Sequence, residues 1–106
     1  MDIHQAAKVL KELGHPTRLA VYKQLVKAGS KGITVGAIQE AQAIPGSTLS
    51  HHLKGLVAAG LISPRREGRT LFCVAQYELF ESVIGFLQEE CCADEHTSSF
   101  VENRIR

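Results

Sequence analysis

Hydrophobic residues recur three and four positions apart over most of residues 1–60, as they do along one face of an α-helix. Gly14 ends the first of these runs and Gly60 follows the fourth, and glycine at such positions suits helix termination. The segments with this spacing are residues 2–13, 16–28, 35–41 and 47–59. The pattern therefore predicts four helices, with a loop over residues 30–33.

Two short segments rich in β-forming residues follow the fourth helix. They cover residues 61–66 and 69–75, and Glu67 and Gly68 between them are suited to a hairpin turn. The order of elements, with two helices separated by a short turn and then a hairpin, is that of a winged helix-turn-helix. We therefore expect a mainly α-helical fold with a small β-hairpin wing.

A last helical pattern, from residue 77 to about residue 92, is more apolar than a single core-facing stripe requires. Its main stripe consists of Phe80, Val83, Ile84 and Leu87. Burial in the core of a monomer is one interpretation, but the surplus favours dimerisation, since helix-turn-helix proteins usually read two half-sites with two-fold symmetry. We expect a homodimer in which residues 1–92 form one domain, followed by a polar tail at residues 93–106.

Charge changes sign along the chain. Residues 1–74 hold ten lysines and arginines against four acidic residues, whereas residues 75–106 hold two against seven. A basic body favours an anionic partner such as nucleic acid, although solvated surfaces could produce the same distribution. The three cysteines, an odd number, indicate a reducing cytoplasm rather than a disulfide-linked secreted domain, and we expect no membrane span.

The helix predicted over residues 47–59 has a polar side without acidic residues. Its apolar residues lie together on a helical wheel and are expected to face the core: Leu49, Leu53, Leu56 and Val57. The other side and its flanks carry hydroxyl, imidazole and ammonium groups, on Ser47, Thr48, Ser50, His51, His52 and Lys54. A solvated helix often has a polar side, but these short polar groups also suit the major groove of DNA. The histidine pair is a poor metal site because adjacent helical positions point about 100° apart.

Three arginines crowd the predicted hairpin turn: Arg65, Arg66 and Arg69. Packing of a hydrophobic core does not call for cations at a turn, so these side chains are expected to contact backbone phosphate or the neighbouring minor groove of DNA. Arginines at a turn are weak evidence on their own. Next to a helix-turn-helix they indicate a DNA-binding wing.

Three stretches resemble the ArsR family of bacterial metalloregulators: LGHPTRL at residues 13–19, STLSHHL leading to AGLI at residues 47–62, and REGR at residues 66–69. The likeness extends over residues 2–92. It implies a homodimeric winged-helix repressor that binds a near-palindromic operator in double-stranded DNA and leaves it when an effector binds. By this resemblance, the polar residues at 47–52 fall on the recognition helix and residues 65–70 on the wing.

Cys91 and Cys92 are the one cluster of soft ligands in the sequence, and thiolates select thiophilic ions. At a regular helix end the two side chains would diverge, so a shared ion requires the last turn to unwind. Ligation there could alter the dimer interface. The alternative is that both cysteines are small apolar residues at a helix end.

Some arsenite-responsive members of the family resemble this chain in their Cys-Cys pair, which implies trivalent arsenic as inducer and no obligatory cofactor. Cys73 and His96 are candidate third ligands, although Cys73 is expected to be packed in its strand. An oxidant or sulfur species acting on the thiols, or a DNA binder without an effector site, are the alternatives. An enzyme is not expected, because the sequence places no base near either cysteine and has no phosphate-binding loop.

Overall fold

The computed structural model describes residues 1–95. Within them the chain forms five α-helices, three strands and one 3-10 turn, in the order expected of a winged helix-turn-helix. The helices are α1 (Ile3–Leu13), α2 (Pro16–Ala28), α3 (Val35–Gln42), α4 (Gly46–Ala58) and α5 (Tyr77–Gln88). The strands are β1 (Ile33–Thr34), β2 (Ile62–Glu67) and β3 (Thr70–Ala75), and the 3-10 turn is Gly29–Lys31.

Side chains just outside the helices satisfy the first backbone N–H groups of α1, α2 and α3. Asp2 and Gln5 form a reciprocal capping box at the start of α1. The Nδ1 atom of His15 accepts a hydrogen bond from the backbone N–H of Thr17 at 3.1 Å, and Thr34 caps α3 in the same way. These contacts fix where each helix begins.

The strands form one antiparallel sheet in the order β1-β3-β2. The predicted hairpin is confirmed, with Arg65 opposite Phe72. The sequence predicts a loop over residues 30–33 and does not predict the two-residue strand β1, but Ile33 pairs with Cys73. Gly32 explains this close approach, since its φ is +73° and a Cβ there would lie 2.8 Å from the carbonyl oxygen of Cys73.

A single hydrophobic core joins the helices to the sheet. Its fully buried side chains are Val21, Leu25, Ile38, Leu49, Leu56, Leu61 and Val83. Cys73 is packed among them, as predicted, and burial raises the pKa of its thiol. None of the helices in the described part of the chain is long and apolar enough to cross a membrane.

Helix α5 ends earlier than the sequence predicts. The helical pattern extends to about Cys92, but the helix stops at Gln88, and Glu89 adopts an extended conformation. Glu90 and Cys92 then have φ values of 57° and 59°, in the left-handed region. Two carboxylates at the negative end of the helix dipole disfavour further helical turns. The prediction that the cysteines lie in this helix is therefore wrong.

Candidate nucleic-acid interface

Helix α4 has one buried side and one exposed polar side. Leu49 and Leu56 are fully buried and anchor the helix on the core. The prediction that Val57 also faces the core is wrong, because its side chain is 40% exposed. Gly60 follows the end of the helix with φ +81°, as its predicted role requires. The exposed side carries five of the six predicted DNA-contacting residues: Ser47, Thr48, Ser50, His51 and Lys54. This side offers hydroxyl, imidazole and ammonium groups and no carboxylate.

His52 is a correction to the predicted interface. Its side chain is only 7% exposed, whereas the adjacent His51 is open to solvent. Positions 49, 52 and 56 share one helical face, which places His52 on the side of Leu49 and Leu56. Arg18 Nε donates a hydrogen bond to His52 Nδ1 at 3.0 Å. The imidazole therefore contacts its own protein, and the prediction that it contacts DNA is wrong.

Burial lowers the pKa of His52, and electrostatic interaction with His15, Arg18 and His51 lowers it further. The ring of His15 lies against that of His52, with 4.6 Å between the centroids. Because Nδ1 accepts from Arg18, the hydrogen-bond network assigns the ring proton to Nε2. His52 is therefore neutral at neutral pH.

Sequence reasoning missed two residues beneath α4. Arg18 on α2 forms an ion pair with Glu12 on α1, in addition to its bond to His52. The contact between Arg18 and His52 joins residues 34 positions apart. No local pattern connects such distant residues, so the sequence holds no signal that would have found it.

The three wing arginines have different surroundings. Arg66 and Arg69 are exposed beside the hairpin turn, where Gly68 has φ +62°. Arg65 instead donates hydrogen bonds to the carbonyl oxygens of Ser30 and Lys31, at 2.7 and 2.8 Å.

The guanidinium of Arg65 also lies over the ring of Phe72, with 5.2 Å from Cζ to the ring centroid, and Nε lies 3.6 Å from a carboxylate oxygen of Glu67. The side chain therefore ties the wing to the loop after α2, and its contact with DNA stays a prediction. Arg66 and Arg69 remain as the exposed cations at this end of the hairpin.

The predicted dimerisation residues also divide into two groups. Val83 is 1% exposed and belongs to the core, and Phe80 packs against the core beside Tyr22. Ile84 and Leu87 are 40% and 59% exposed. The prediction that Val83 is available to a partner is therefore wrong, because the residue faces inward from α5.

Helix α1 packs against α5 and has exposed apolar residues of its own. Ile3 is 66% exposed and Leu10 is 41% exposed. Together with Ile84 and Leu87 of α5, these residues define the α1–α5 apolar surface. It is the part of the predicted interface that a second copy could cover.

Cys91 and Cys92 lie in turns after α5, and their sulfur atoms are 3.7 Å apart. The left-handed conformation of Cys92 brings the thiols together, so the divergence expected at a regular helix end does not occur. Within residues 1–95, no third His, Cys, Asp or Glu joins the pair in an arrangement suited to a metal ion. Cys73 lies in the core, and His96 lies outside the described residues.

Comparison with known proteins agrees with this architecture. The family model described as "Helix-turn-helix domain" matches residues 13–65. An uncharacterised HTH-type transcriptional regulator of Methanocaldococcus jannaschii is 34% identical over 85 residues, which cover 80% of this chain and 93% of the relative.

Two solved structures share the fold. The crystal structure of an ArsR family transcriptional regulator superposes with a TM-score of 0.76 at 23% identity, and the match covers 92% of this chain and 98% of that one. A homodimeric winged helix-turn-helix DNA-binding domain from Mycobacterium bovis superposes with a TM-score of 0.65 at 25% identity, over 90% of this chain and 88% of that domain. The chain therefore belongs to the helix-turn-helix family of DNA-binding transcriptional regulators, in its ArsR-type winged-helix form, and not to a family of enzymes.

Proposed function

We propose that this regulator is a repressor that binds a near-palindromic operator as a homodimer and is released by a thiol-reactive inducer at Cys91 and Cys92. The observation that carries the DNA-binding part is the exposed side of α4, which is polar and has no acidic residue. Arg66 and Arg69 supply exposed positive charge on the wing.

Each exposed group of α4 is assigned a contact that its chemistry allows. Ser47 and Thr48 lie at the start of the helix, where hydroxyl groups and backbone N–H groups suit phosphate oxygens. His51 and Ser50 follow on the exposed side and can reach base edges in the major groove. Lys54, further along, suits either a base acceptor or phosphate. The wing arginines are assigned to the backbone because phosphate contacts position the protein without reading sequence.

The α1–α5 apolar surface supports a homodimer. Ile3 and Leu87 are each more than half exposed. A small domain buries little of its surface alone, so covering such apolar side chains with a second copy would stabilise it. The related domain from Mycobacterium bovis is described as homodimeric. A two-fold axis through this surface would present two copies of α4 to one duplex, and half-site spacing would follow from the dimer geometry.

The cysteine pair supports the inducer site through its position and its spacing. Two sulfur atoms 3.7 Å apart can share one ion, since metal–sulfur bonds of about 2.3 Å at a roughly tetrahedral angle span about this distance. Thiolates favour soft ions, and trivalent arsenic held by two thiols is our proposed inducer. The pair begins four residues after Leu87, so a change at the thiols would act close to the proposed dimer interface.

The test uses the duplex that the wild-type protein itself enriches from a random-sequence library. Arsenite should release the wild-type protein from this duplex, while the Cys91→Ser/Cys92→Ser variant should stay bound. Cys73→Ala, which keeps the pair intact, is the matched control and should respond like the wild type. Release of the double variant by arsenite would remove the proposed inducer site.

The same assay separates the remaining candidates. Release of the wild-type protein by peroxide or polysulfide but not by arsenite would favour a redox or sulfur-species sensor at the same thiols. Failure of all three reagents to release it would identify a winged-helix DNA binder without an effector at this pair.

A further inference from the structure

The side of α4 that faces away from solvent contains a polar network. His52 is the buried polar residue of the described chain, and its Nδ1 atom accepts from Arg18 Nε at 3.0 Å. A second nitrogen of the same guanidinium, Nη1, pairs with Glu12 Oε2. The network of Glu12, Arg18 and His52 therefore connects α1, α2 and α4 through one planar cation. Its members are partly or fully buried, so water competes weakly with these bonds.

Gly55 shows how closely α4 rests on this network. It lies one turn after His52, and a Cβ built there would be 2.5 Å from Glu12 Oε2 and 3.2 Å from Arg18 Cζ. The helix backbone therefore meets the ion pair directly, with no side chain between them. A shift in the Arg18 guanidinium would therefore displace α4 itself.

The bond between Arg18 and His52 depends on the protonation state of the imidazole. Neutral His52 offers a lone pair at Nδ1, whereas a protonated ring would turn an N–H toward the N–H of Arg18. The charged and titratable groups around the ring come from three places: Glu12 on α1, Arg18 and His15 at the start of α2, and His51 on α4. Glu12 is already paired with Arg18, and the other groups disfavour a charged ring.

We propose that the network of Glu12, Arg18 and His52 sets the orientation in which α4 meets DNA, and that protonation of His52 breaks the network and weakens sequence-specific binding. The inference deepens the proposed function and rests on the assignment of α4 to the operator. His52 and Arg18 are thus positioning residues: they act through α4 and need not contact the duplex.

The two adjacent histidines have different roles in this proposal. His51 is exposed on the polar side of α4 and takes no part in the buried network, whereas His52 is held by Arg18 beneath the helix. Protonation of His52 breaks that buried contact and loosens binding.

The experiment measures affinity for the enriched duplex and for a scrambled duplex between about pH 7.5 and about pH 5.5, the range in which histidine titrates. In the wild-type protein, acidification should reduce the ratio of specific to scrambled affinity by about ten-fold, the usual effect of losing one hydrogen bond to a charged group. His52→Asn keeps an acceptor near the position of Nδ1 but does not titrate. It should bind like the wild type at the higher pH and lose the acid-induced fall.

Matched variants at the neighbouring histidines isolate the effect. His51→Asn leaves the contact between Arg18 and His52 in place and should retain the acid-induced fall in the affinity ratio. His15→Asn preserves a capping acceptor for α2 and should retain the fall. An unchanged acid-induced fall in His52→Asn would overturn the proposal.

Arg18→Lys provides a second route to the same conclusion if His52→Asn does not fold, as judged by circular dichroism and thermal unfolding. Lysine keeps the charge and can pair with Glu12, but its single ammonium lacks the planar geometry that serves Glu12 and His52 together. It should bind more weakly at the higher pH and show a flatter pH profile. A wild-type affinity and profile in this variant would contradict the network. Absence of any duplex binding by the wild-type protein would instead contradict the proposed function.

Discussion

Helix α4 and helix α5 differ in how much of their apolar surface is buried by contacts within a single chain. The inward side of α4 is closed by Leu49 and Leu56 and by the polar network at His52, and its exposed side is polar except in the last turn, where Val57 is 40% exposed. Helix α5 buries Val83 but leaves Ile84 and Leu87 40% and 59% exposed. The polar side of α4 is held in place by contacts within one chain, whereas the α1–α5 apolar surface is left uncovered by it.

This difference separates two properties of a DNA-binding regulator. Each copy of α4 is held in its conformation by contacts within its own chain, including those to Arg18 on α2. The distance between two such helices is not set within one chain and depends on how two copies meet. A signal that acts on operator binding can therefore act at the end of α5 without reshaping the recognition helix.

Charge placed on the α1–α5 apolar surface should have the largest effect. Ile84→Asp/Leu87→Asp should yield monomers, since two buried carboxylates without partners are strongly unfavourable at an apolar interface. Operator affinity should fall by about 10²–10⁴-fold, because the second half-site no longer gains from a high effective concentration. Size-exclusion chromatography with light scattering and fluorescence anisotropy measure the two effects.

Val26→Asp is the matched control for this prediction. Val26 is also a partly exposed apolar residue, at 37%, but it lies on α2. The variant should remain dimeric with nearly wild-type affinity. A dimeric Ile84→Asp/Leu87→Asp variant would contradict the proposed interface.

An intermediate effect is expected from the wing. Arg66→Ala should weaken binding to all duplexes to a similar degree and reduce the slope of log affinity against log salt by about one unit, as expected for one lost phosphate contact. Arg65→Ala should leave the salt slope nearly unchanged, because its guanidinium is held by Ser30 and Lys31. Titrations at several salt concentrations measure both slopes, and a larger slope change for Arg65→Ala would contradict this division.

The smallest expected effect is on the pH dependence of stability. The pKa of His52 is lowered in the folded protein, so below the unfolded value of about 6.5 the unfolded chain binds more protons than the folded one. The contribution of His52 to the free energy of unfolding is therefore complete above that pH and decreases as the pH falls through it. Urea unfolding at several pH values measures this change.

His52→Asn should show a weaker pH dependence of unfolding than the wild type. His4→Asn, at an exposed position on α1, is the control and should behave like the wild type. Equal pH dependence in His52→Asn and the wild type would mean that burial does not disfavour the charged ring.

Much of the fold could be predicted from the chain because it follows from local patterns. Apolar spacing identified the helices, Gly60 marked the end of α4, and the β-rich segments around Gly68 identified the hairpin. The exposed polar side of α4 was found in the same way, since Leu49 and Leu56 determine which side is buried. The stretches that resemble the ArsR family agree with the helix-turn-helix match over residues 13–65.

Other features depend on residues that are distant in the sequence. A helical wheel placed His52 at the edge of the polar side, but Arg18, 34 positions away, supplies the partner that makes its burial favourable. The sequence gives no reason to distinguish Arg65 from its neighbour Arg66. In the folded chain, Nη1 of Arg65 lies 2.7 Å from the carbonyl oxygen of Ser30. Strand β1 consists of two residues, and it forms because the backbone of β3 is available for antiparallel pairing.

Local spacing of apolar, polar and glycine residues was enough to establish the helices, the hairpin and the side of α4 that meets solvent, since each is decided by neighbours within one or two turns. Packing between distant segments decided which histidine is buried and which arginine is held against a loop. A buried polar group is tolerated only where its hydrogen-bond partners are in place. Those partners become neighbours only when the chain has folded.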